Sequence, residues 1–140
     1  MTILPHLIEG NSYTDARGVL QFNNDFNASG LKRMYTIQNR DTEFIRGWQG
    51  HKIEQRWFSA VQGTFKIRLI AIDDWDYPSP SLEQHQFILD SHNMDVLHVP
   101  SGYVSSIQAL ESSSKLVLMS DYALGEIEDE YRFDINYFIT

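Results

Sequence analysis

Residues 46–56 contain the side chains of this chain that are best suited to chemistry. The imidazole of His51 is a usable base, since an unperturbed imidazole titrates near pH 6.5. The guanidinium groups of Arg46 and Arg56 each present a rigid fork of donors that is able to hold an enolate or a phosphate. Gln49 is uncharged and takes up no proton near neutral pH, so we expect it to hydrogen-bond a ligand.

Composition and motifs exclude several other kinds of site. The chain has no cysteine, which excludes thiol nucleophiles, thiolate metal ligands and disulfides and suits a cytoplasmic protein. The sequence contains no Gly-x-Ser-x-Gly elbow and no Walker-type lysine loop. It has no run of about 18 apolar residues, and residues 1–6 lack the features of a signal peptide, so we expect no membrane partner.

Charge is unevenly distributed along the chain. The net charge of −8 argues against a nucleic-acid partner. Residues 32–68 nevertheless hold eight of the 11 lysines and arginines against three acids, which gives this segment a charge of +5. Such a basic segment is compatible with a pocket for a small anion such as a nucleotide diphosphate, and also with solvated cations on strand faces.

Short strands separated by turns must position these groups. Runs rich in β-branched and aromatic residues alternate with turn-forming clusters of glycine, proline, asparagine, aspartate and serine. The predicted strands are residues 33–38, 56–61, 64–72, 84–89, 96–99, 105–110 and 116–120. Strands of this number and length predict one all-β domain over residues 1–140, either a sandwich or a barrel. The helix candidate is the short acidic segment 124–131.

Two stretches resemble the signature motifs of the cupin barrel. The first runs from Arg46-Gly47 through a turn to His51 and ends at Gln62-Gly63. The second, Pro100-Ser101-Gly102, follows at the separation that cupins show. The chain therefore resembles a cupin, which implies a jelly-roll barrel (a double-stranded β-helix), here with a short C-terminal helix or tail.

The resemblance extends to particular cupin families. Residues 15–18 (Asp-Ala-Arg-Gly) resemble a turn of the dTDP-4-dehydrorhamnose 3,5-epimerases. Residues 120–122 (Ser-Asp-Tyr) and 130–134 (Glu-Tyr-Arg-Phe-Asp) resemble the tail of the WxcM-like sugar 3,4-ketoisomerases, which are the closer match. This implies a homodimer of jelly rolls that handles nucleotide-linked 4-keto sugars, with the N-terminal arm, residues 1–30, at the dimer interface.

The metal ligands of metal-binding cupins are mostly replaced in this chain. By resemblance, Gln49 and Ser105 stand at histidine positions and Arg56 at the glutamate position, which leaves His51 alone. Glu54 lies three residues after His51, and an odd offset on a strand predicts that it faces the other side. A cation beside Arg56 would be repelled. We therefore expect neither a metal nor another cofactor.

The resemblance also implies the roles of individual residues. The ketoisomerases have two histidines after the Arg-Gly pair, and the one implicated in proton transfer corresponds to Gln49. His51 is then the remaining proton-transfer residue, and Tyr35 is its acid or hydrogen-bond donor. Val117 stands where the 3,5-epimerases have their acid tyrosine. The substrate-binding residues are Arg17 (by way of the N-terminal arm, of this subunit or of its partner), Arg33, Arg46, Gln49, Arg56, Tyr103 and Ser105.

Two functions follow from these expectations. The first is a metal-independent isomerase or epimerase of a nucleotide-linked 4-keto-6-deoxy sugar, with an altered active site, in bacterial surface polysaccharide biosynthesis. The second is a non-catalytic cupin that binds a nucleotide sugar or another carbohydrate. The loss of histidines at positions 49 and 105 favours the second function, whereas the retention of His51 favours the first.

Overall fold

The chain folds entirely from β-strands. The computed structural model describes residues 3–139, and these contain no helix, hence none long and apolar enough to span a membrane. The strands are β1 (His6–Ile8), β2 (Asn11–Asp15), β3 (Gly18–Phe22), β4 (Arg33–Ile37), β5 (Ile45–His51), β6 (Arg56–Gln62), β7 (Thr64–Ala71), β8 (His85–Asp90), β9 (Val96–Val99), β10 (Tyr103–Ala109), β11 (Lys115–Ser120) and β12 (Tyr131–Arg132). All seven strands predicted from the sequence are present, with ends shifted by at most two residues.

Two five-stranded antiparallel sheets form a jelly roll, which confirms the predicted fold class. The first sheet has the order β1-β9-β6-β11-β4, and the second has the order β12-β5-β10-β7-β8. Strands β2 and β3 form a separate hairpin whose turn is the predicted Asp-Ala-Arg-Gly sequence. Strands distant in sequence are neighbours in both sheets, so residues from β4, β5, β6 and β10 meet in the space between them.

Apolar side chains fill most of the space between the sheets. Side chains alternate on β7: Phe65, Ile67 and Leu69 are fully buried, whereas Lys66 and Arg68 between them are only partly buried. The three apolar side chains share one cluster with Phe58 of β6 and Leu97 of β9. Burial of each such side chain contributes about 1.5–3 kcal/mol relative to exposure. The apolar filling leaves polar groups at one mouth of the barrel.

The C-terminal tail is held on the outer face of the second sheet. Trp48 of β5 is buried there beside Phe138, with ring centroids 5.5 Å apart. Backbone hydrogen bonds join Trp48 and Phe133 in both directions, at 3.1 and 3.0 Å. This docking carries residues 121–132, which precede it, past the mouth of the barrel.

A bulge in β5 decides which of its side chains face the barrel interior. Opposite β10, Gln49 pairs with Ser105 but Arg46 pairs with Ile107, so one residue on β10 opposes two on β5. Residues three apart on a regular strand face opposite sides, and the extra residue restores Arg46 and Gln49 to one side. A Cβ on Gly47 would lie 2.9 Å from the carbonyl oxygen of Ser105, so the bulge requires glycine there.

Two local predictions are wrong. The segment 124–131 is not a helix: it forms turns that lead into β12, and Gly125 has a left-handed φ of 78°. A single short helix is marginal in water, and the buried carboxylate of Asp129 is bound instead by distant backbone groups. The turn expected between Arg46 and His51 is also absent, because β5 runs without interruption from Ile45 to His51.

Candidate active site

The mouth of the barrel brings together most of the residues predicted to form a site. The narrow inner space there, about 30 Å³, is lined by Tyr35, Ile37, Arg46, Gln49, His51, Arg56, Phe58, Val99, Tyr103, Ser105, Ile107 and Leu118. Seven of these are among the nine residues singled out from the sequence. A space of this size holds about one water molecule, so the inner space admits no sugar ring and a ligand must lie further out.

Two larger cavities open outward from this inner space. The outer cavity, about 450 Å³, has Arg33, Arg46, Gln49, Glu130 and Arg132 in its wall. The tail cavity, about 430 Å³, lies between residues 123–131 and the side chains of Arg33, His51, Glu54 and Arg56. Both volumes lie in the range of small-molecule sites. Four arginines therefore surround space large enough for a nucleotide-linked sugar.

His51 is held in one tautomer at the end of β5. Its Nδ1 lies 2.7 Å from the carbonyl oxygen of Asp129, and since a carbonyl only accepts, Nδ1 carries the proton. The Nε2 lone pair is then free, and within residues 3–139 no hydrogen bond occupies it. Burial, followed by the positive charge of Arg56, lowers the pKa of His51 below its usual range. His51 is therefore uncharged at neutral pH, and its Nε2 atom is the one able to accept a proton.

Asp129 ties the tail to the loop after β5. Its buried carboxylate accepts the backbone N–H groups of Lys52, Ile53 and Glu54 at 2.7–2.8 Å. Its backbone carbonyl accepts the His51 proton, so one residue fixes both the loop and the imidazole. A carboxylate that accepts several backbone hydrogen bonds is tightly held in place.

Arg56, Tyr35 and Glu54 form a buried hydrogen-bonded chain. One guanidinium nitrogen of Arg56 donates to the Tyr35 hydroxyl at 2.6 Å, and another donates to Glu54 Oε1 at 3.0 Å. Because a guanidinium only donates, the Tyr35 proton remains available for a ligand. Arg56 Nε is buried without a partner in the described chain. This arrangement presents one hydroxyl donor supported by a buried positive charge.

The orientation predicted for Glu54 is wrong. Glu54 Oε2 lies 3.7 Å from His51 Nδ1, on the same side of the barrel. Residues 52–55 leave the strand, so the alternation used for the prediction does not apply to them. The Ser120 hydroxyl also donates to Glu54 Oε1 at 2.7 Å. Glu54 is thus the counter-ion of Arg56 at the edge of the site.

His51, Glu54 and Asp129 are close enough together to be considered as a metal site. Their ligand atoms lie within 4.8 Å of one another. However, both carboxylate oxygens of Asp129 accept backbone N–H groups, Nδ1 of His51 is a donor, and the guanidinium of Arg56 contacts Glu54. The atoms that could bind a metal are therefore engaged in internal hydrogen bonds, and the positive charge of Arg56 lies beside them. These residues do not fit a metal ion.

Gln49 faces the tail across the mouth. Its amide nitrogen donates a short hydrogen bond to Glu130 Oε1, and Arg132 Nη2 donates to the same oxygen at 3.3 Å. Ser105 lies on the neighbouring strand, with its hydroxyl 3.4 Å from the Gln49 carbonyl oxygen. The carboxylate of Glu130 is therefore held directly against the Gln49 amide at the mouth.

The remaining predicted residues of the mouth are Arg33, Arg46 and Tyr103. The Arg33 guanidinium lies 4.6 Å from the centre of the Tyr35 ring. Arg46 Nε donates to Asn39 Oδ1 at 3.3 Å, and Arg46 also lines the outer cavity. Burial raises the pKa of Tyr103, so its phenol stays protonated near neutral pH.

Two predicted positions lie outside the mouth. The side chain of Arg17 is 87% exposed in the hairpin turn and is paired with Asp15 at 2.7 Å, so it does not line the pocket of its own chain. Val117 points away from the interior, because the buried residues of β11 are Leu116, Leu118 and Ser120. Leu118 lines the inner space instead, and it too has no proton to donate.

Sequence reasoning missed four residues of this site. Glu54, Asp129, Glu130 and Arg132 all line the mouth or hold its walls. Glu130 and Arg132 belong to the motif of residues 130–134, and that motif is the signal by which the sequence could have identified them. Asp129 and Glu54 act through contacts to parts of the chain that no local pattern connects.

The fold and the mouth define a cupin barrel with a basic pocket that contains a histidine. The family model described as FdtA, WxcM-like, C-terminal, matches residues 5–140. The chain therefore belongs to the WxcM-like, C-terminal family, as the resemblance implied. No sequence among curated proteins matches it significantly.

Solved structures show the same fold at low sequence identity. A histidine-to-asparagine variant of the 3,4-ketoisomerase QdtA from Thermoanaerobacterium thermosaccharolyticum, in complex with TDP-4-keto-6-deoxyglucose, has a TM-score of 0.72 at 20% identity, covering 98% of this chain and 93% of that one. The dTDP-4-dehydrorhamnose 3,5-epimerase from Bacillus anthracis, with TDP and PPi bound, has a TM-score of 0.73 at 16% identity, covering 94% and 79%. These similarities establish a shared architecture.

Replacing Asp129 by asparagine tests the anchor. The amide would offer one acceptor oxygen and turn an NH₂ group toward backbone donors, so we expect a loss of about 2 kcal/mol in the free energy of unfolding. Chemical denaturation monitored by tryptophan fluorescence measures this loss. Glu128→Gln is the matched control, since Glu128 is exposed on the same segment and loses the same charge. Equal stability of the two variants would show that the hydrogen bonds of the Asp129 carboxylate do not stabilise the fold.

Proposed function

We propose that this protein is a metal-independent isomerase or epimerase of a nucleotide-linked 4-keto-6-deoxy sugar, acting in the cytoplasm in bacterial surface polysaccharide biosynthesis. The observation that carries the proposal is the state of His51, which is neutral, buried and fixed with its Nε2 free. It opens onto a cavity with arginines in its wall. A group able to act as a base, His51, thus lies next to arginines able to bind an anionic ligand.

The reaction begins with proton transfer beside the ketone. Nε2 of His51 takes the proton from the carbon next to the carbonyl, and the electron pair of that C–H bond moves to form an enolate. The hydroxyl of Tyr35, supported by Arg56 at 2.6 Å, donates to the developing oxyanion. Return of the proton to the opposite face gives an epimer, and return to the neighbouring carbon gives an isomer.

The arginines of the outer cavity fit the diphosphate of such a substrate. Arg33, Arg46 and Arg132 contribute guanidinium groups to one wall, and guanidinium pairs well with phosphate oxygens. The rest of the chain is strongly acidic, so this wall is a local exception. We propose that the diphosphate lies along it while the sugar ring faces His51.

A second candidate is a binding module without catalysis. It is favoured by Gln49, which occupies a position where the related ketoisomerases have a histidine, and by the hydrogen bond that commits this amide to Glu130. Such a protein would retain the cavities and their arginines. It would bind a nucleotide sugar or another carbohydrate without exchanging its protons.

The two candidates differ in hydrogen exchange. On incubation with dTDP-4-keto-6-deoxyglucose in D₂O, we expect NMR to show deuterium incorporated beside the ketone. His51→Gln should slow this exchange by at least about 100-fold, because it removes the base, while calorimetry still detects TDP binding. His92→Gln, which alters an exposed histidine, should behave as the unmodified protein. Binding by the unmodified protein without exchange would instead establish the binding module.

The protonation of His51 gives a pH prediction. Because burial and Arg56 lower its pKa, the histidine should titrate below pH 6.5 by NMR, and Arg56→Gln should move the midpoint upward. The unfolded chain binds this proton more readily, so stability should fall as pH decreases through 6.5. A midpoint at or above 6.5 in the unmodified protein would contradict the electrostatic account.

We also propose that the protein is a homodimer. Tyr13, Val19 and Leu20 of the β2–β3 hairpin and Met34 of β4 are exposed, and a dimer interface would bury such apolar side chains. Residues 1 and 2 of the arm lie outside the described residues. Light scattering should give twice the chain mass of 16.3 kDa. A monomer at micromolar concentration would overturn this proposal.

A further inference from the structure

We infer that Glu130 is the second proton carrier of a 3,4-ketoisomerisation: it moves the proton between the two sugar oxygens, while His51 moves the proton between the two carbons. This inference rests on the proposed function and narrows it. An epimerase moves protons only at carbon. A ketoisomerase must also move the hydroxyl proton of C3 to the oxygen of C4, and this transfer needs a second group that both accepts and donates a proton.

The location of Glu130 suits this task. It borders both the outer cavity and the tail cavity, and His51 borders the tail cavity too. The Glu130 side chain is 53% exposed in the open mouth, so a ligand is able to reach it. A sugar ring in the tail cavity would then lie between an imidazole and a carboxylate.

The hydrogen bonds of Glu130 leave one oxygen available. Gln49 and Arg132 both donate to Oε1. No hydrogen bond to Oε2 is formed within residues 3–139. The two donors orient the carboxylate, and the second oxygen is left to accept a proton from a ligand. Gln49 is therefore a positioning residue for a carboxylate.

The backbone on both sides of Glu130 is fixed. Asp129 is buried and anchored to the loop after β5. Tyr131 and Arg132 form β12, which pairs with Gly50 and Gln49 of β5. The Tyr131 ring also packs against Trp75, with centroids 4.6 Å apart. Glu130 is thus held at the mouth by regular structure, as a group acting on substrate must be.

The two transfers balance as follows. His51 Nε2 takes the C3 proton, the C–H pair forms a C3–C4 double bond, and the ketone π pair moves to the C4 oxygen. Glu130 Oε2 takes the C3 hydroxyl proton and gives it to the C4 oxygen. The C3 oxygen then re-forms a carbonyl, and the double-bond pair takes the proton from His51 at C4. A carboxylate and an imidazole divide proton transfer between them in triosephosphate isomerase as well.

The test separates exchange from isomerisation. With dTDP-4-keto-6-deoxyglucose in D₂O, NMR follows deuterium at C3 and the appearance of the 3-keto product. Glu130→Gln should keep C3 exchange and TDP binding but slow product formation by at least about 100-fold. Glu130→Asp should recover part of the product rate, because it restores a carboxylate. Glu83→Gln, which removes an exposed acid outside both cavities, should match the unmodified protein.

Four outcomes would overturn the inference. Product formation by Glu130→Gln at the unmodified rate would show that no carboxylate is needed. Loss of both exchange and product with TDP binding intact would place Glu130 in the carbon step instead. Exchange without any 3-keto product in the unmodified protein would refute the proton transfer by Glu130 but not the proposed function. Absence of exchange in the unmodified protein would refute the proposed function itself.

Discussion

The carboxylate of Asp129 is the interaction on which the rest of the mouth depends. It binds three successive backbone N–H groups of the loop between β5 and β6, where a strand has ended and its donors need partners. The same residue holds the imidazole of His51 through its carbonyl. The loop, the imidazole and the tail are thus fixed relative to one another by a single buried residue.

Charge at the mouth is arranged around one buried cation. Arg56 is 6% exposed and lies between Glu54, which neutralises it, and Tyr35, which it supports. Breaking such a buried pair by removing one partner costs about 3–5 kcal/mol. The same positive charge helps to keep His51 neutral. An uncharged imidazole and a hydroxyl group supported by a buried cation therefore line the same mouth.

Local patterns in the sequence predicted the strands, whereas the residues of the mouth were predicted from the resemblance to cupins. Alternation is a short-range property, and β7 shows it directly in Phe65, Ile67 and Leu69. The bulge at Gly47 cannot be predicted from the local sequence, because it depends on the pairing of β5 with β10. It nevertheless turns Arg46 and Gln49 to the same side. The predicted helix at 124–131 is absent because of contacts distant in sequence as well, since Asp129 forms hydrogen bonds with residues more than 70 positions away. The predicted orientation of Glu54 was wrong because strand periodicity does not apply to residues 52–55, which form a loop.

A crystal structure with dTDP-6-deoxyglucose, which lacks the ketone and does not react, tests the central claim most directly. We expect the sugar ring to lie at the mouth of the barrel, with C3 about 3–3.5 Å from Nε2 of His51. The diphosphate should lie against Arg33, Arg46 and Arg132. A nucleotide bound with its sugar directed away from His51, or bound outside the two cavities, would contradict the proposed role of His51.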